Sequence, residues 1–281
     1  MNIGALRSFL PQLAILLSAF GVLYAHTIAK LVRDWSIDDN YSHGFLIPVI
    51  AVYLVWQRRD ELAGLSAETD YRGLLLVAIG MVLHIVGNLG AELFTMRVSL
   101  IVTLWGLVLF LCGGSITRRV AVPLVYLVFM VPIPAIIWNK FAFPLQLFAA
   151  GLTAKLVSLI GIPILREGNI LHLANTTLEV VDACSGLRSL TSLLALSGAF
   201  AFIVNLRSLS RWVLFLSAIP IAVAVNILRL TVTAIMARYI GPEVAHGFMH
   251  DASGLLIFVA AFVLVYLVFL LLTRLENSSS S

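Results

Sequence analysis

A cysteine stands where a strand-like segment meets an apolar helix. The segment Glu179–Leu190 reads Glu-Val-Val-Asp-Ala-Cys-Ser-Gly-Leu-Arg-Ser-Leu, with Cys184 at its centre. If Asp182 or Ser185 caps the helix, unpaired backbone N–H groups and the positive end of the helix dipole lie beside the sulfur and favour its thiolate. Arg188 adds a cation one turn later. The pattern therefore indicates a reactive thiol.

The alternative for Cys184 is a structural role, because free cysteine is often buried and behaves as a small hydrophobic residue. The neighbouring polar residues argue against a purely structural role; they are Glu179, Asp182, Ser185 and Arg188. Charged groups are costly to keep at the margin of so apolar a chain. Their presence favours a functional site.

An arginine inside an apolar segment is the second candidate. Arg229 lies in Asn226-Ile227-Leu228-Arg229-Leu230, with Asn226 one turn away on the same helical face. Insertion scales assign an arginine at mid-span a cost of roughly 2.5–3.5 kcal/mol, so a residue of this kind is by default a functional hypothesis. Arg229 can hold a thiolate or an oxyanion through its fixed fork of donors. Arg188 is the rival for that role.

Two histidines precede the last apolar segment. His246 and His250 are spaced i, i+4 and can share a helical face. Either histidine could transfer protons near neutral pH, although a lone interfacial histidine is more often structural. A metal site formed by both histidines with Cys184 is an alternative; otherwise the sequence predicts no metal and no cofactor.

The composition excludes an ordinary soluble domain. The chain has 281 residues, 61% hydrophobic and 11% charged, with a mean hydropathy of +1.04. These values predict a polytopic membrane protein. The net charge of +4 is explained by basic residues in cytoplasmic loops, so no nucleic-acid partner is implied.

Eight apolar segments are predicted to cross the membrane, with both termini in the cytoplasm. Arginines in the loops set this orientation, because cytoplasmic loops carry an excess of Lys and Arg. The predicted spans are Phe9–Leu31, Gly44–Trp56, Gly73–Leu89, Phe94–Cys112, Val120–Ile137, Gly186–Val204, Trp212–Tyr239 and Ser253–Thr273. The orienting arginines are Arg58, Arg59, Arg118, Arg119, Arg207, Arg211 and Arg274.

The segment Lys140–Gly161 has the length of a span but contains Pro144, Gln146, Lys155 and Ser158. If it crossed, the later arginine-bearing loops would move to the outer face. Because cytoplasmic loops carry the excess of arginine, the segment is predicted not to cross and to form a re-entrant or interfacial helix. Between Ile162 and Val181 the pattern changes to short β-rich runs separated by turn residues, which predicts a small periplasmic β-hairpin that delivers Cys184 to the outer surface.

The fold class that follows is an all-α polytopic membrane protein with about eight transmembrane helices, one re-entrant or interfacial helix and the hairpin. No repeat or interdomain linker is visible, so residues 1–276 are expected to form a single integral-membrane domain. Residues 277–281 are interpreted as a flexible end or a cloning remnant.

Taken together, these motifs resemble the exosortase/archaeosortase family of integral-membrane cysteine transpeptidases, over nearly the whole chain. The resemblance rests on several separate segments. They are Asn40-Tyr41-Ser42-His43-Gly44-Phe45-Leu46, Pro132-Ile133-Pro134, Gly161–Glu167 followed by Gly168-Asn169, Glu179–Ser189 with its Ala-Cys-Ser-Gly motif, Asn226-Ile227-Leu228-Arg229, and His250 with Gly254.

The resemblance implies that Cys184, Arg229 and His250 form the catalytic set. Histidine rather than arginine at position 250 points to the bacterial branch of the family. Supporting or substrate-binding roles are expected for Glu179, Asp182, Ser185, Gly186, Arg188, Asn226, His43 and His246. For His43 a helix cap remains equally open.

The resemblance also implies the reaction and its place. The protein is expected in the bacterial inner membrane, with its active site facing the periplasm. Its partners are then secreted proteins with a C-terminal Pro-Glu-Pro motif, a transmembrane helix and a basic tail. Attack by the Cys184 thiolate gives a thioester, which water or another acceptor nucleophile resolves.

A transporter of an anionic solute is the alternative from another class, with Arg229, Glu179 and His250 lining the path. The chain shows no matched pair of broken-helix repeats, which disfavours transport. His-Glu-x-x-His and Gly-x-Ser-x-Gly are also absent from the sequence, so neither a zinc protease nor a serine hydrolase is indicated.

Overall fold

A computed structural model describes residues 3–174, 176–180, 187–204, 206–241 and 248–278. Side chains are described from residue 14 onwards, apart from 187–189, 248–253 and 255. The chain divides into two compact units, Met1–Pro132 and Ile133–Ser281. The single domain expected over residues 1–276 remains a prediction.

The described chain is helical apart from one small sheet, which confirms the predicted all-α class. Unit 1 contains α1 (Ile3–Ile37), a 3₁₀ helix (Asp39–Phe45), α2 (Leu46–Gln57), α3 (Arg59–Ala63), α4 (Arg72–Leu89), α5 (Leu93–Tyr126) and a second 3₁₀ helix (Leu127–Met130). Unit 2 contains α6 (Ala135–Leu159), β1 (Ile164–Glu167), β2 (Ile170–Leu173), β3 (Thr177–Glu179), α7 (Leu187–Ile203), α8 (Ser208–Tyr239) and α9 (Phe248–Ser278).

Six helices within the described residues are long and apolar enough to cross a membrane, so the predicted number of eight is too high. They are Ala14–Ile37, Arg72–Leu89, Leu93–Met130, Ala135–Leu159, Ser208–Tyr239 and Leu256–Ser278. The prediction counted α2 and α7, which have 12 and 17 residues, divided Leu93–Met130 into two spans and did not count Ala135–Leu159. A bilayer core of ~30 Å needs about 20 helical residues.

The helix α5 reverses direction at Gly113, which has φ 81° and ψ 172°. Contacts at its two ends show the reversal. Near its start Arg97 pairs with Asp34, and just beyond its end the Met130 carbonyl accepts a hydrogen bond from the Trp35 indole at 2.9 Å. In a straight helix residues 97 and 130 would be about 50 Å apart. The predicted boundary at Cys112 is thus confirmed.

Arginine contacts join the α2–α3 region to the second half of α5 at the other end of unit 1. The Arg58 guanidinium donates to the carbonyl of Arg119, and Arg119 pairs with Glu61 at 2.6 Å. Sequence reasoning placed Arg58 and Arg119 on one side of the membrane. Within unit 1 they do lie together.

The segment predicted as re-entrant forms the continuous helix α6, which passes through Pro144 without a break. Its 25 residues extend for about 37 Å, more than the hydrocarbon core of a bilayer. The re-entrant form of the prediction is therefore wrong, whereas the interfacial form stays a prediction. The polar residues were counted as obstacles to spanning, but the helix continues through all of them.

The predicted hairpin is confirmed and contains a third strand. The strands β1, β2 and β3 form an antiparallel sheet in that order, with Ile164 opposite Leu173 and Ile170 opposite Glu179. Gly168 makes the first turn with φ 64°, a conformation that favours glycine.

One face of the sheet is buried in unit 2. Leu171, Leu173 and Leu178 alternate along the strands and pack against residues of α6 and α8. The helix residues in this cluster are Ala149, Ala150, Val157, Ile227, Leu230 and Ala234. A second apolar cluster joins α7, α8 and α9, with Leu193, Leu214 and Val265 at its centre. The helix α8 belongs to both clusters.

Candidate active site

The sheet fixes the chain four residues before Cys184. After β3 ends at Glu179, the N–H of Val180 donates to the Asn169 carbonyl at 2.9 Å. The Asn169 side-chain amide donates in return to the Val180 carbonyl at 3.2 Å. Val180 itself is fully buried in the cluster between the sheet, α6 and α8. The segment carrying the cysteine therefore departs from an anchored point.

Several predicted site residues lie outside the described residues. These are Asp182, Cys184, Ser185, Gly186 and His246. The backbone places Arg188 in the first turn of α7 and His250 in the first turn of α9, while their side chains are not described.

The structure brings Arg229 to the helix face that carries His250. Arg229 is only 8% exposed. Its Nη2 atom lies 3.9 Å from the position that a Cβ on Gly254 would occupy. Gly254 follows His250 by four residues in α9, so both lie on one face of that helix. Two members of the predicted catalytic set are thus carried by neighbouring elements.

Asn226 occupies the same face of α8 as Arg229, one turn earlier, and is 3% exposed. Its amide nitrogen Nδ2 is buried and has no hydrogen-bond partner among the residues that the structure describes. A buried donor without an acceptor costs about 1–3 kcal/mol. The site therefore provides a donor for an incoming acceptor atom.

A cavity of about 560 Å³ lies within unit 2, between α6 and the sheet. Glu179, a predicted supporting residue, lines it at the end of β3. The complete lining is Ile136, Asn139, Lys140, Ala142, Phe143, Gln146, Asn169 and Glu179. Sequence reasoning did not single out Asn139 or Lys140. The signal was their spacing with Phe143 and Gln146, which places all four on one helical face.

His43 lies in unit 1, in the 3₁₀ helix between α1 and α2. Burial lowers the pKa of His43, and hydrogen bonds from its ring to the backbone of Phe129 and Asn40 oppose part of that shift. The ring therefore connects the two 3₁₀ helices of unit 1. A role of His43 in substrate binding remains a prediction.

The described residues contain no group of three or more His, Cys, Asp or Glu side chains that could hold a metal ion. Two members of the alternative metal site, Cys184 and His246, lie outside those residues, and the side chain of His250 is not described. The metal alternative is therefore untested.

Comparison with known proteins assigns the chain to a family. A family model described as transmembrane exosortase (Exosortase_EpsH) matches residues 35–267. Searches of curated proteins and of solved structures found no match. The matched region includes the Cys184 segment, Arg229 and His250, and it covers most of both units. The chain therefore belongs to the transmembrane exosortase family.

Proposed function

We propose that this exosortase is a cysteine protease or transpeptidase of the bacterial inner membrane. Its substrates are secreted proteins that end in a Pro-Glu-Pro motif, a transmembrane helix and a basic tail, and it cleaves them at the periplasmic face. One observation carries the proposal: the buried guanidinium of Arg229 reaches the face of α9 that holds Gly254 and His250.

In the first step, the Cys184 thiolate attacks the carbonyl carbon of the scissile peptide bond. The new C–S bond forms as the carbonyl oxygen takes up negative charge, and collapse of this tetrahedral intermediate breaks the C–N bond while protonated His250 gives a proton to the leaving amine. The product is a thioester between Cys184 and the upstream part of the substrate.

In the second step, water or an amine acceptor attacks the thioester carbonyl. His250 takes a proton from that nucleophile, the C–S bond breaks and the thiolate is regenerated. Water makes the overall reaction hydrolysis, while an amine makes it transpeptidation.

Negative charge develops on the carbonyl oxygen in both steps, and two buried donors stabilise it. Arg229 supplies a permanent cation with a planar fork of N–H groups. The Asn226 amide, whose Nδ2 atom has no partner within the described part of the chain, supplies a neutral donor. A donor of this kind, preorganised in an oxyanion hole, typically contributes 10²–10³ in turnover.

The test is cleavage of a co-expressed reporter that carries the tripartite signal, followed by mass spectrometry. Cys184→Ala is expected to abolish cleavage, because it removes the nucleophile. Cys112→Ala is the matched control, since Cys112 is a free cysteine in unit 1, and it is expected to keep wild-type cleavage. Cleavage that persists in Cys184→Ala would refute the proposal.

A further inference from the structure

The cavity in unit 2 has the chemistry of a peptide-binding site. Ile136 and Phe143 form an apolar part of its wall. Amide groups come from the side chains of Asn139, Gln146 and Asn169. Amide groups both donate and accept hydrogen bonds, which matches the alternating groups of an extended polypeptide backbone.

Opposite charges face the same cavity without neutralising each other. Lys140 and Glu179 both line it and both are exposed. Within the part of the chain that the structure describes, neither takes part in an ion pair within 4 Å. A ligand that carries an anion and N–H donors would pair with both.

The cavity is also close to the nucleophile along the chain. Asn169 and Glu179 line it, and Asn169 holds Val180 through two hydrogen bonds. Cys184 is four positions after Val180, and an extended chain covers at most about 14 Å over that interval. The cysteine therefore lies within about 14 Å of the residue that Asn169 holds beside the cavity.

Resting on the proposed function, we propose that this cavity binds the substrate polypeptide beside the scissile bond, with Lys140 pairing with an acidic side chain of the substrate. Glu179 and the amides then bind the neighbouring substrate backbone. A lipid phosphate is a poorer occupant, because Glu179 repels it and the amide groups match a polypeptide better.

Reversing the charge on the enzyme and on the substrate tests whether Lys140 pairs with an acidic substrate side chain. The reporter is prepared with Pro-Glu-Pro and with Pro-Lys-Pro, and each is cleaved by the wild type and by Lys140→Glu. We expect Lys140→Glu to lower kcat/KM about tenfold for Pro-Glu-Pro, mostly through KM, and to raise it for Pro-Lys-Pro. Lys155→Glu, an exposed change on α6 outside the cavity lining, is expected to alter neither.

Binding provides a readout that does not require cleavage. Fluorescent peptides with either motif are titrated into Cys184→Ala protein in detergent, with and without Lys140→Glu. The same reversal of preference is expected in Kd. If wild-type protein cleaves neither reporter, the proposed function fails, and this titration still decides the cavity's role.

Three outcomes would overturn the inference. Equal losses on both reporters would mean that Lys140 only supports the structure, and no change would mean that it does not face the substrate. An effect of Lys140→Glu that depends on phosphatidylglycerol in nanodiscs, whatever the reporter charge, would assign Lys140 to lipid phosphate instead.

Discussion

Burying the charged side chain of Arg229 in an apolar helix is costly, and its position beside α9 suggests what function offsets that cost. It is buried in α8, and its guanidinium approaches Gly254 on α9. A charged side chain in an apolar helix normally faces protein or a polar cavity, and it often marks a functional site. Its neighbour Asn226 adds a second buried donor on the same face.

Replacing Arg229 by lysine tests whether its planar fork matters. Arg229→Lys keeps the charge but loses the arrangement of N–H donors, so we expect turnover to fall about 100-fold or more while the fold is retained. Reporter cleavage kinetics and thermal unfolding in detergent measure the two effects. Arg238→Lys, an exposed change near the end of the same helix, is the control. If Arg229→Lys kept turnover within a few-fold of wild type, the planar arrangement of N–H donors would not be required for catalysis.

Sequence reasoning found Arg229 and Asn226 because an intramembrane charge stands out against apolar neighbours. It did not find Lys140, because in a segment of mixed polarity one lysine carries no distinct signal. It also did not foresee that Asn169 holds Val180, since those residues are eleven positions apart and only the pairing of β2 with β3 brings them together.

At the scale of elements, glycine decides where α5 reverses. Gly113 adopts a backbone conformation that is essentially restricted to glycine, and a Cβ there would lie 2.5 Å from the Glu68 carbonyl oxygen. Gly114 has no positive φ, and its Cβ would meet nothing closer than Asp70 Oδ2 at 3.8 Å.

This difference predicts contrasting effects of alanine at two adjacent positions. Gly113→Ala is expected to destabilise unit 1 by at least ~1–3 kcal/mol from backbone strain alone. Gly114→Ala is expected to have little effect. Thermal unfolding of both variants in detergent measures the contrast. Equal stability would show that the reversal does not depend on Gly113.

The sequence located most helices correctly but misjudged their lengths. The end of an apolar run ahead of Arg118 and Arg119 marked the break at Cys112, and β-rich runs marked the sheet. The re-entrant turn was expected in α6 because its polar residues were weighed without knowledge of the sheet. Of Pro144, Gln146, Lys155 and Ser158, only Gln146 lines the cavity between α6 and the sheet.

At the scale of the whole molecule, family membership shows a multi-pass membrane protein, while its orientation is a prediction. Within unit 2, Leu171 of the sheet packs with Ile227 and Ala234 in the C-terminal half of α8. Leu209 lies in the first turn of that 32-residue helix. The sheet and Leu209 are therefore near opposite ends of α8.

Thiol labelling measures this orientation. Single cysteines are placed at 170 or 209 in a Cys112→Ala, Cys184→Ala background, and cells with a permeabilised outer membrane are treated with an impermeant reagent. Position 170 should react, whereas 209 should be protected, because Arg207 and Arg211 favour the cytoplasmic side. The reverse pattern would place the active site in the cytoplasm, and labelling at both positions would show that α8 does not cross.

The pairing of Arg97 with Asp34 has a consequence for biogenesis. Arg97 is 4% exposed, and its carboxylate partner precedes it by 63 residues. Asp34 is synthesised 63 residues before Arg97, so we expect the arginine to enter the bilayer with its counter-ion available. Insertion of α5 is then not expected to wait for unit 2, which carries Cys184, Arg229 and His250 and is synthesised last.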